Sequence, residues 1–226
     1  MRTRVVITGL GVVSPIGYDI QSFWNGLLVG KDGISDVSFD GMEDCYSKKY
    51  GMLNWKRVRE LEDGYLSDSE KKLRKCSKIA MISAVTAMQD ANLKQGDYRT
   101  DRMGVVLGTT QGEQYTFMEK ETDSETERFS FAVDVAKHFD AHGEVFVNTN
   151  ACAAGNCAIA YATELIRNNR MDCVITGGVD VFSEITYAGF NRLKALSDDE
   201  IKPFDNNRNG TILSEGAAIL ILESLE

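Results

Sequence analysis

Four short apolar runs, each bounded by glycine, organise the chain: Val5–Thr8 before Gly9, Val105–Leu107 between Gly104 and Gly108, Cys173–Thr176 before Gly177 and Gly178, and Ala217–Leu222 after Gly216. They are continuous and not alternating, which suits strands covered on both faces. The clearest helical pattern lies between them at Ser77–Asn92. There Ile79, Ile82, Val85 and Met88 recur every three residues, Ala84, Ala87 and Ala91 widen the stripe, and Ser77 is placed to cap the start. Strands alternating with helical segments predict a single layered α/β domain.

Other stretches carry weaker patterns. Residues 40–75 scatter Tyr46, Tyr50, Trp55 and Tyr65 among charges without a clean period, and read as an irregular cap on the core. Glu119–Arg128 holds five acids and two bases, and reads as a solvated loop or exposed helix. Asp134–Gly143 looks like a short helix and its turn, and it contains the only two histidines, His138 and His142. Those two are expected in surface or structural roles. With two prolines and no repeat, nothing marks a joint between domains.

Composition narrows the class. The 226 residues carry 25 Lys and Arg against 34 Asp and Glu, a net charge of −9, with 43% hydrophobic and 26% charged residues. That is ordinary globular composition and excludes a basic nucleic-acid arm, disorder and collagen-like structure. The apolar run after Arg4 is broken by Gly9, Gly11 and Pro15, too early for a signal-peptide core, and no run approaches a membrane span of about 18 apolar residues. The expectation is a soluble cytoplasmic protein. The five cysteines, Cys45, Cys76, Cys152, Cys157 and Cys173, lack disulfide density and any C-x-x-C pair, so they should be free thiols. No cluster has metal-ligand spacing, so neither a metal nor a bound cofactor is expected. Gly9-Leu10-Gly11 follows a strand, but Ser14 replaces the third glycine and Pro15 comes next, which excludes a dinucleotide fingerprint.

The chemistry concentrates at Val145–Cys157. A β-type run leads into small residues, and Cys152 sits where strand turns into helix. Ala153–Thr163 carries no charge and six Ala or Gly residues, so the helix should begin buried. A thiol at a buried helix N-terminus meets unpaired N–H groups and the positive end of the dipole, which stabilise a thiolate. Ala151, Ala153 and Gly155 leave room for a substrate carbonyl, as small residues do around the serine of a nucleophile elbow. On spacing alone, Cys152 is either such a nucleophile or a small buried hydrophobe in a tight helix. Cys157 lies beyond the first turn and reads as core.

Four stretches, in order, carry a family resemblance: V-V-I-T-G-L-G-V-V-S-P-I-G at 5–17, F-W-N-G-L-L-V-G at 23–30, N-A-C-A-A-G at 150–155, and K-P-F-D-N-N-R-N-G-T-I-L-S-E-G-A at 202–217. The chain resembles the N-terminal half of the β-ketoacyl-(acyl-carrier-protein) synthases, condensing enzymes of fatty acid and polyketide synthesis. The resemblance implies a thiolase-like layered α/β fold over 1–226, with a mixed sheet, helices on both faces and a buried central helix after Cys152. It further implies an acyltransferase that loads an acyl group from a carrier's phosphopantetheine thiol onto Cys152, then condenses it with malonyl-carrier in a Claisen reaction. The oxyanion hole would use the backbone N–H of Cys152 and a second donor from a Gly-rich loop later in the family's chains. The Gly-rich turn Gly108–Gly112 would lie near the acyl pocket, or be a simple turn.

Departures from the family pattern qualify this picture. Asn150 stands where Thr is usual and Ser214 where Gly is usual, changes that bear on substrate fit. The family's second half, with its two catalytic histidines, lysine and glycine-rich loop, has no counterpart here. The 226 residues are therefore expected to be acylated but not to condense alone. Their central helix would present an apolar surface to be covered by a second chain in a split hetero-oligomeric ketosynthase; a fragment of a longer chain, or a non-catalytic scaffold subunit, would share the same features. The acyl carrier protein is the expected partner. Lys71, Lys72, Arg74, Lys75 and Lys78 form a basic cluster that is either its docking patch or a solvated helix face. Asp205 and Arg208 are expected to organise a loop near the site.

Overall fold

The computed structural model describes residues 3–225, apart from 40, 42, 95, 111 and 114–128. The charged stretch Glu119–Arg128 lies outside the described residues. In chain order the elements are β1 (Val5–Val13), α1 (Ile20–Leu28), β2 (Ser35–Asp36), β3 (Lys49–Tyr50), α2 (Trp55–Tyr65), α3 (Lys75–Asp90), β4 (Met103–Gly108), α4 (Phe131–His138), β5 (Val145–Asn148), α5 (Ala154–Arg167), β6 (Cys173–Asp180), α6 (Glu184–Arg192) and β7 (Gly216–Ser224). All four glycine-bounded runs are strands. They join β5 in one five-stranded sheet of order β1-β7-β6-β4-β5. The β4, β5 and β6 strands run parallel, and β7 runs antiparallel to both β6 and β1. This is a mixed sheet with helices on both faces.

On one face α3 lies across β1, β7 and β6, α4 packs beside it against β4 and β5, and α2 packs on α3. Val105, Leu107, Ile175, Ile219 and Ile221 point from the strands into that core to meet Ile79, Ile82 and Ala87, all fully buried. Glycine makes the contact close. A Cβ on Gly9 would lie 2.1 Å from the Ala87 carbonyl oxygen, and one on Gly11 1.8 Å from that of Ser83. The glycines that mimic a nucleotide motif in sequence are thus the floor on which α3 rests.

Ser77 does not cap α3, whose N-cap residue is Arg74. Ser77 is buried and its Oγ donates to Asp134 Oδ2 at 2.6 Å, tying α3 to α4. The helix start is satisfied instead by Glu113, whose carboxylate accepts from the N–H groups of Lys75 at 3.2 Å and Cys76 at 2.5 Å. A carboxylate there also complements the helix dipole.

The stretch 40–75, without a legible period, contains the 11-residue helix α2. Its buried positions include Val58 and Glu62, and Lys78 pairs with Glu62 at 3.3 Å. A charged residue in a core-facing position breaks the apolar stripe from which a helix is recognised. In a separate cluster, Phe39, Tyr50, Phe182 and Tyr187 pack their rings together, with Phe39 stacked on Phe182 at 4.0 Å.

Candidate active site

The C-terminal ends of the parallel strands converge below the start of α5. Beyond β5, Asn148 turns the chain by accepting the N–H of Asn150 at 2.9 Å. Ala151 adopts φ +46°, a left-handed conformation that is costly for a residue with a Cβ. One 3₁₀ turn, Ala151–Ala153, follows before α5 begins. This strained strand-to-helix turn displays Cys152. The thiol sits in the turn between strand and helix, and it is exposed where a buried helix start was expected.

Small residues let the turn rest directly on the sheet. A Cβ on Gly108 would lie 2.3 Å from the Ala154 carbonyl carbon, and a Cβ on Gly178 only 3.5 Å from Gly155 Cα. Along α5 the sheet side is buried at Ala154, Ala158, Ala162, Leu165 and Ile166, while Ala153, Asn156 and Ala160 on the other side are exposed. The central helix is therefore covered on one side by this chain.

Cys152 borders two hollows. One is an open cleft of about 380 Å³ running over Gly108, Gly155, Gly178 and Gly216 toward Val12 and Phe23. The other is a smaller pocket of about 130 Å³, walled by Tyr50, Val181, Phe190 and Leu213 with Thr110, Ser183 and Thr186 among its polar edges. Asp180 and Ser214 border both.

Two acids hold this architecture. Asp180, at the end of β6, accepts from Thr109 Oγ1 at 2.8 Å, the Thr110 N–H at 2.9 Å and Thr110 Oγ1 at 3.0 Å, fixing the turn after β4. Glu215 is buried and accepts from the N–H groups of Leu53 at 2.9 Å and Phe182 at 3.1 Å and from Trp55 Nε1 at 3.1 Å. It fastens the 40–75 region to the sheet. Asp180 is signalled in sequence only as an acid at the end of an apolar strand run, whereas Glu215 lies inside the family-like stretch 202–217, just before the run of β7.

The two departures from the family pattern have defined places. Asn150 Nδ2 donates to Cys157 Sγ at 3.3 Å, so Cys157 is partly exposed and engaged with the turn. Ser214 Oγ lies 3.0 Å from the Gly51 carbonyl oxygen, where a Cβ on Gly51 would itself collide with the serine. Of the remaining cysteines, Cys76 and Cys173 are buried, and burial above all, with Glu113 near the first and Glu223 near the second, raises both thiols well above their ordinary value. They supply no thiolate at neutral pH.

The other singled-out residues lie elsewhere. His138 Nδ1 pairs with Glu70 at 2.7 Å on the α4 side, and His142 Nε2 lies 3.0 Å from Asp140 on the surface. Neither borders a hollow next to Cys152. The basic residues do not share one environment. Lys71 pairs with Asp63 at 2.9 Å, Lys78 with Glu62, and Lys75 sits 5.0 Å over the Trp55 ring. Lys72 is exposed, and Arg74 is partly buried. Asp205 Oδ1 accepts the Asn207 N–H at 2.6 Å and Arg208 Nη1 donates to the Asp205 carbonyl at 2.9 Å, so they order an exposed loop. Among the described residues, no three or more of His, Cys, Asp and Glu are placed to hold a metal ion, and no helix is long and apolar enough to cross a membrane.

A mixed five-stranded sheet with a strained, cysteine-bearing turn at the ends of its parallel strands defines one half of a thiolase-like fold. Comparisons with known proteins agree. The sequence family described as "Beta-ketoacyl synthase, N-terminal domain" matches residues 2–226. The 3-oxoacyl-[acyl-carrier-protein] synthase 2 of Synechocystis sp. is 31% identical over 249 residues, covering 100% of this chain and 58% of the relative. The ishigamide ketosynthase/chain length factor superposes with a TM-score of 0.86 at 28% identity, covering 100% of this chain and 59% of that one. A type II polyketide synthase acyl-carrier protein in complex with its ketosynthase bound to the hexaketide gives a TM-score of 0.80 at 30% identity, covering 100% and 59%. The chain belongs to the β-ketoacyl synthase family and corresponds to its N-terminal domain. It spans 58% of the length of that curated relative.

Proposed function

We propose that this domain is the acyl-accepting half of a β-ketoacyl-(acyl-carrier-protein) synthase working in the cytoplasm, with Cys152 as its nucleophile. The observation that carries the reading is the position of Cys152: exposed, on a strained turn, at the junction of a cleft and a pocket. The open cleft suits a phosphopantetheine arm carried by an acyl carrier protein, and a structural neighbour is a ketosynthase in complex with its acyl-carrier protein.

Loading is a transthioesterification. Cys152 Sγ attacks the carrier's thioester carbonyl, a new S–C bond forms, the carrier's C–S bond breaks, and the thiol proton of Cys152 ends on the carrier's thiol. The backbone N–H of Cys152 donates to no described carbonyl and would donate to the developing oxyanion. Condensation needs groups to stabilise the malonyl-derived carbanion, and neither His138 nor His142 is near Cys152. The second half, in a partner chain or a continuing segment, would supply those groups and cover the exposed side of α5. Two structural neighbours are ketosynthases with a chain length factor, an arrangement compatible with a hetero-oligomer. Lys72 and Lys75 are the members of the basic cluster exposed for a carrier to meet.

The test is intact-protein mass spectrometry of the complete protein after incubation with acyl-carrier. The expected result is one acyl adduct, mapped to Cys152, that disappears in Cys152→Ala. An adduct that survives the substitution would overturn the assignment.

A further inference from the structure

The pocket behind Cys152 has a floor, and the floor has chemistry. Its volume is about 130 Å³. A protein cavity of about 150 Å³ takes benzene, so this one holds about five carbon atoms beyond the thioester carbonyl. Tyr50, Phe190 and Leu213 close it, and Tyr50 cannot easily yield. The tyrosine is 3% exposed and wedged edge-on against Phe182 at 5.1 Å and Tyr187 at 5.8 Å. Close packing makes such a wall stiff.

Tyr50 also brings an unspent polar group. Its hydroxyl makes no hydrogen bond to any described residue, although the side chain is buried and lines the pocket. The hydroxyl is not among the enclosed polar atoms that lack a partner, so it is open to the hollow and available to a ligand or a water. Burial first, and then the nearby carboxylates of Glu215 and Asp180, raise its pKa well above the ordinary value. It remains a protonated donor at neutral pH. The neighbouring hydroxyls are already engaged: Thr110 Oγ1 donates to Asp180 and Thr186 Oγ1 lies 3.0 Å from Ser183 Oγ.

Resting on the assignment of Cys152 as acyl acceptor, we propose that this site selects short acyl groups, of about two to six carbons, that carry a carbonyl or hydroxyl oxygen for Tyr50 to bond. Longer saturated chains meet the wall of Tyr50, Phe190 and Leu213. A short saturated chain fits but leaves the Tyr50 hydroxyl without a partner, which is a lasting cost in a buried site. Selection acts in the transthioesterification, where the S–C bond to Cys152 forms, the donor's C–S bond breaks and the proton passes to the donor thiol.

The experiment compares loading rates on the complete protein, with any partner chain retained, from butyryl-, acetoacetyl-, 3-hydroxybutyryl- and octanoyl-pantetheine. Adduct mass is the readout. Acetoacetyl and 3-hydroxybutyryl are expected to load about tenfold faster than butyryl, the factor that one hydrogen bond of about 1.4 kcal/mol confers, and octanoyl at least about tenfold slower than butyryl. Tyr50→Phe should bring the acetoacetyl and butyryl rates together, and Leu213→Ala should raise octanoyl relative to butyryl. Octanoyl loading as fast as butyryl in the unaltered protein overturns the length limit while leaving Cys152 as acceptor. An acetoacetyl to butyryl ratio unchanged by Tyr50→Phe overturns the role of the hydroxyl. No adduct from any of the four thioesters overturns the acceptor assignment itself, and the inference falls with it.

Discussion

The two faces of the sheet differ in how much of their packing this chain supplies. On the α3 face, ten residues of the 16-residue helix are buried, its backbone is seated on Gly9 and Gly11, and α2 and α4 pack against it. On the α5 face, five of 14 residues are buried and the outer side of the helix is exposed. The first face is a finished core; the second is a platform. Every feature that points to chemistry, from the strained Ala151 to Cys152 and its two hollows, belongs to the platform end. Structural stability and the chemistry of the site are therefore separable by mutation, and the contrast can be attacked from its strongest contact downward.

The largest effect is expected from Gly11→Val. Even the first carbon of the new side chain would sit 1.8 Å from the Ser83 carbonyl oxygen, a backbone atom that cannot move without displacing α3. Loss of soluble folded protein is expected, read as expression yield and far-ultraviolet circular dichroism. The counterpart is Gly155→Ala on α5, where a Cβ has nothing nearer than 3.8 Å. That change should leave the thermal midpoint within a few degrees, since alanine also favours the helix by about 0.5–1 kcal/mol. If the two variants unfold alike, the faces are not packed differently.

Next in size is truncation of the two helices. Ile79 is fully buried, and Ile79→Ala should cost about 2–5 kcal/mol in denaturant unfolding. Ile159 on α5 is only partly buried, and Ile159→Ala should cost under about 1 kcal/mol. A partner that covers α5 would raise the second figure. The same measurement made with and without the completing half thus reports whether the exposed side becomes an interface.

Much of this division was legible in the amino-acid pattern, for physical reasons that also explain the gaps. Continuous apolar runs ending in glycine identified β1, β4, β6 and β7, because a strand buried on both faces leaves no polar alternation. The place of Cys152 was legible because small residues must surround a turn pressed against strand ends. Helix α2 was not, since Glu62 occupies one of its buried positions. The cap of α3 was not, since Glu113 reaches it from a distant segment while the nearer Ser77 turns toward Asp134. The roles of Tyr50, Asp180 and Glu215 became visible only when long-range contacts brought the cap, β6 and β7 together around Cys152. Sequence patterns report what a residue does for its own element, and these residues act between elements.

A smaller effect separates the helix starts. α3 is capped through Glu113, whereas no side chain caps α5 at Ala153. Glu113→Gln keeps the shape and removes the charge that faces the dipole, and should cost about 0.5–2 kcal/mol in denaturant unfolding.

The smallest expected effect is a pH dependence on the finished side. Burial tends to raise the carboxyl pKa of Glu70, but hydrogen bonds from Ser67 and His138 outweigh it, and the folded value lies below the ordinary 4.5. A carboxylate whose pKa is lowered by folding adds stability at pH values above its unfolded pKa. That contribution is lost as pH falls through the folded value. Stability of the unaltered protein should therefore decline below about pH 4.5, and Glu70→Gln should flatten that part of the curve while lowering stability slightly at neutral pH. Chemical denaturation in steps from pH 6 to pH 3 measures it. An acid limb as steep in Glu70→Gln as in the unaltered protein would place the responsible carboxylates elsewhere, and the α3 face would lose its one identified acid-sensitive tie.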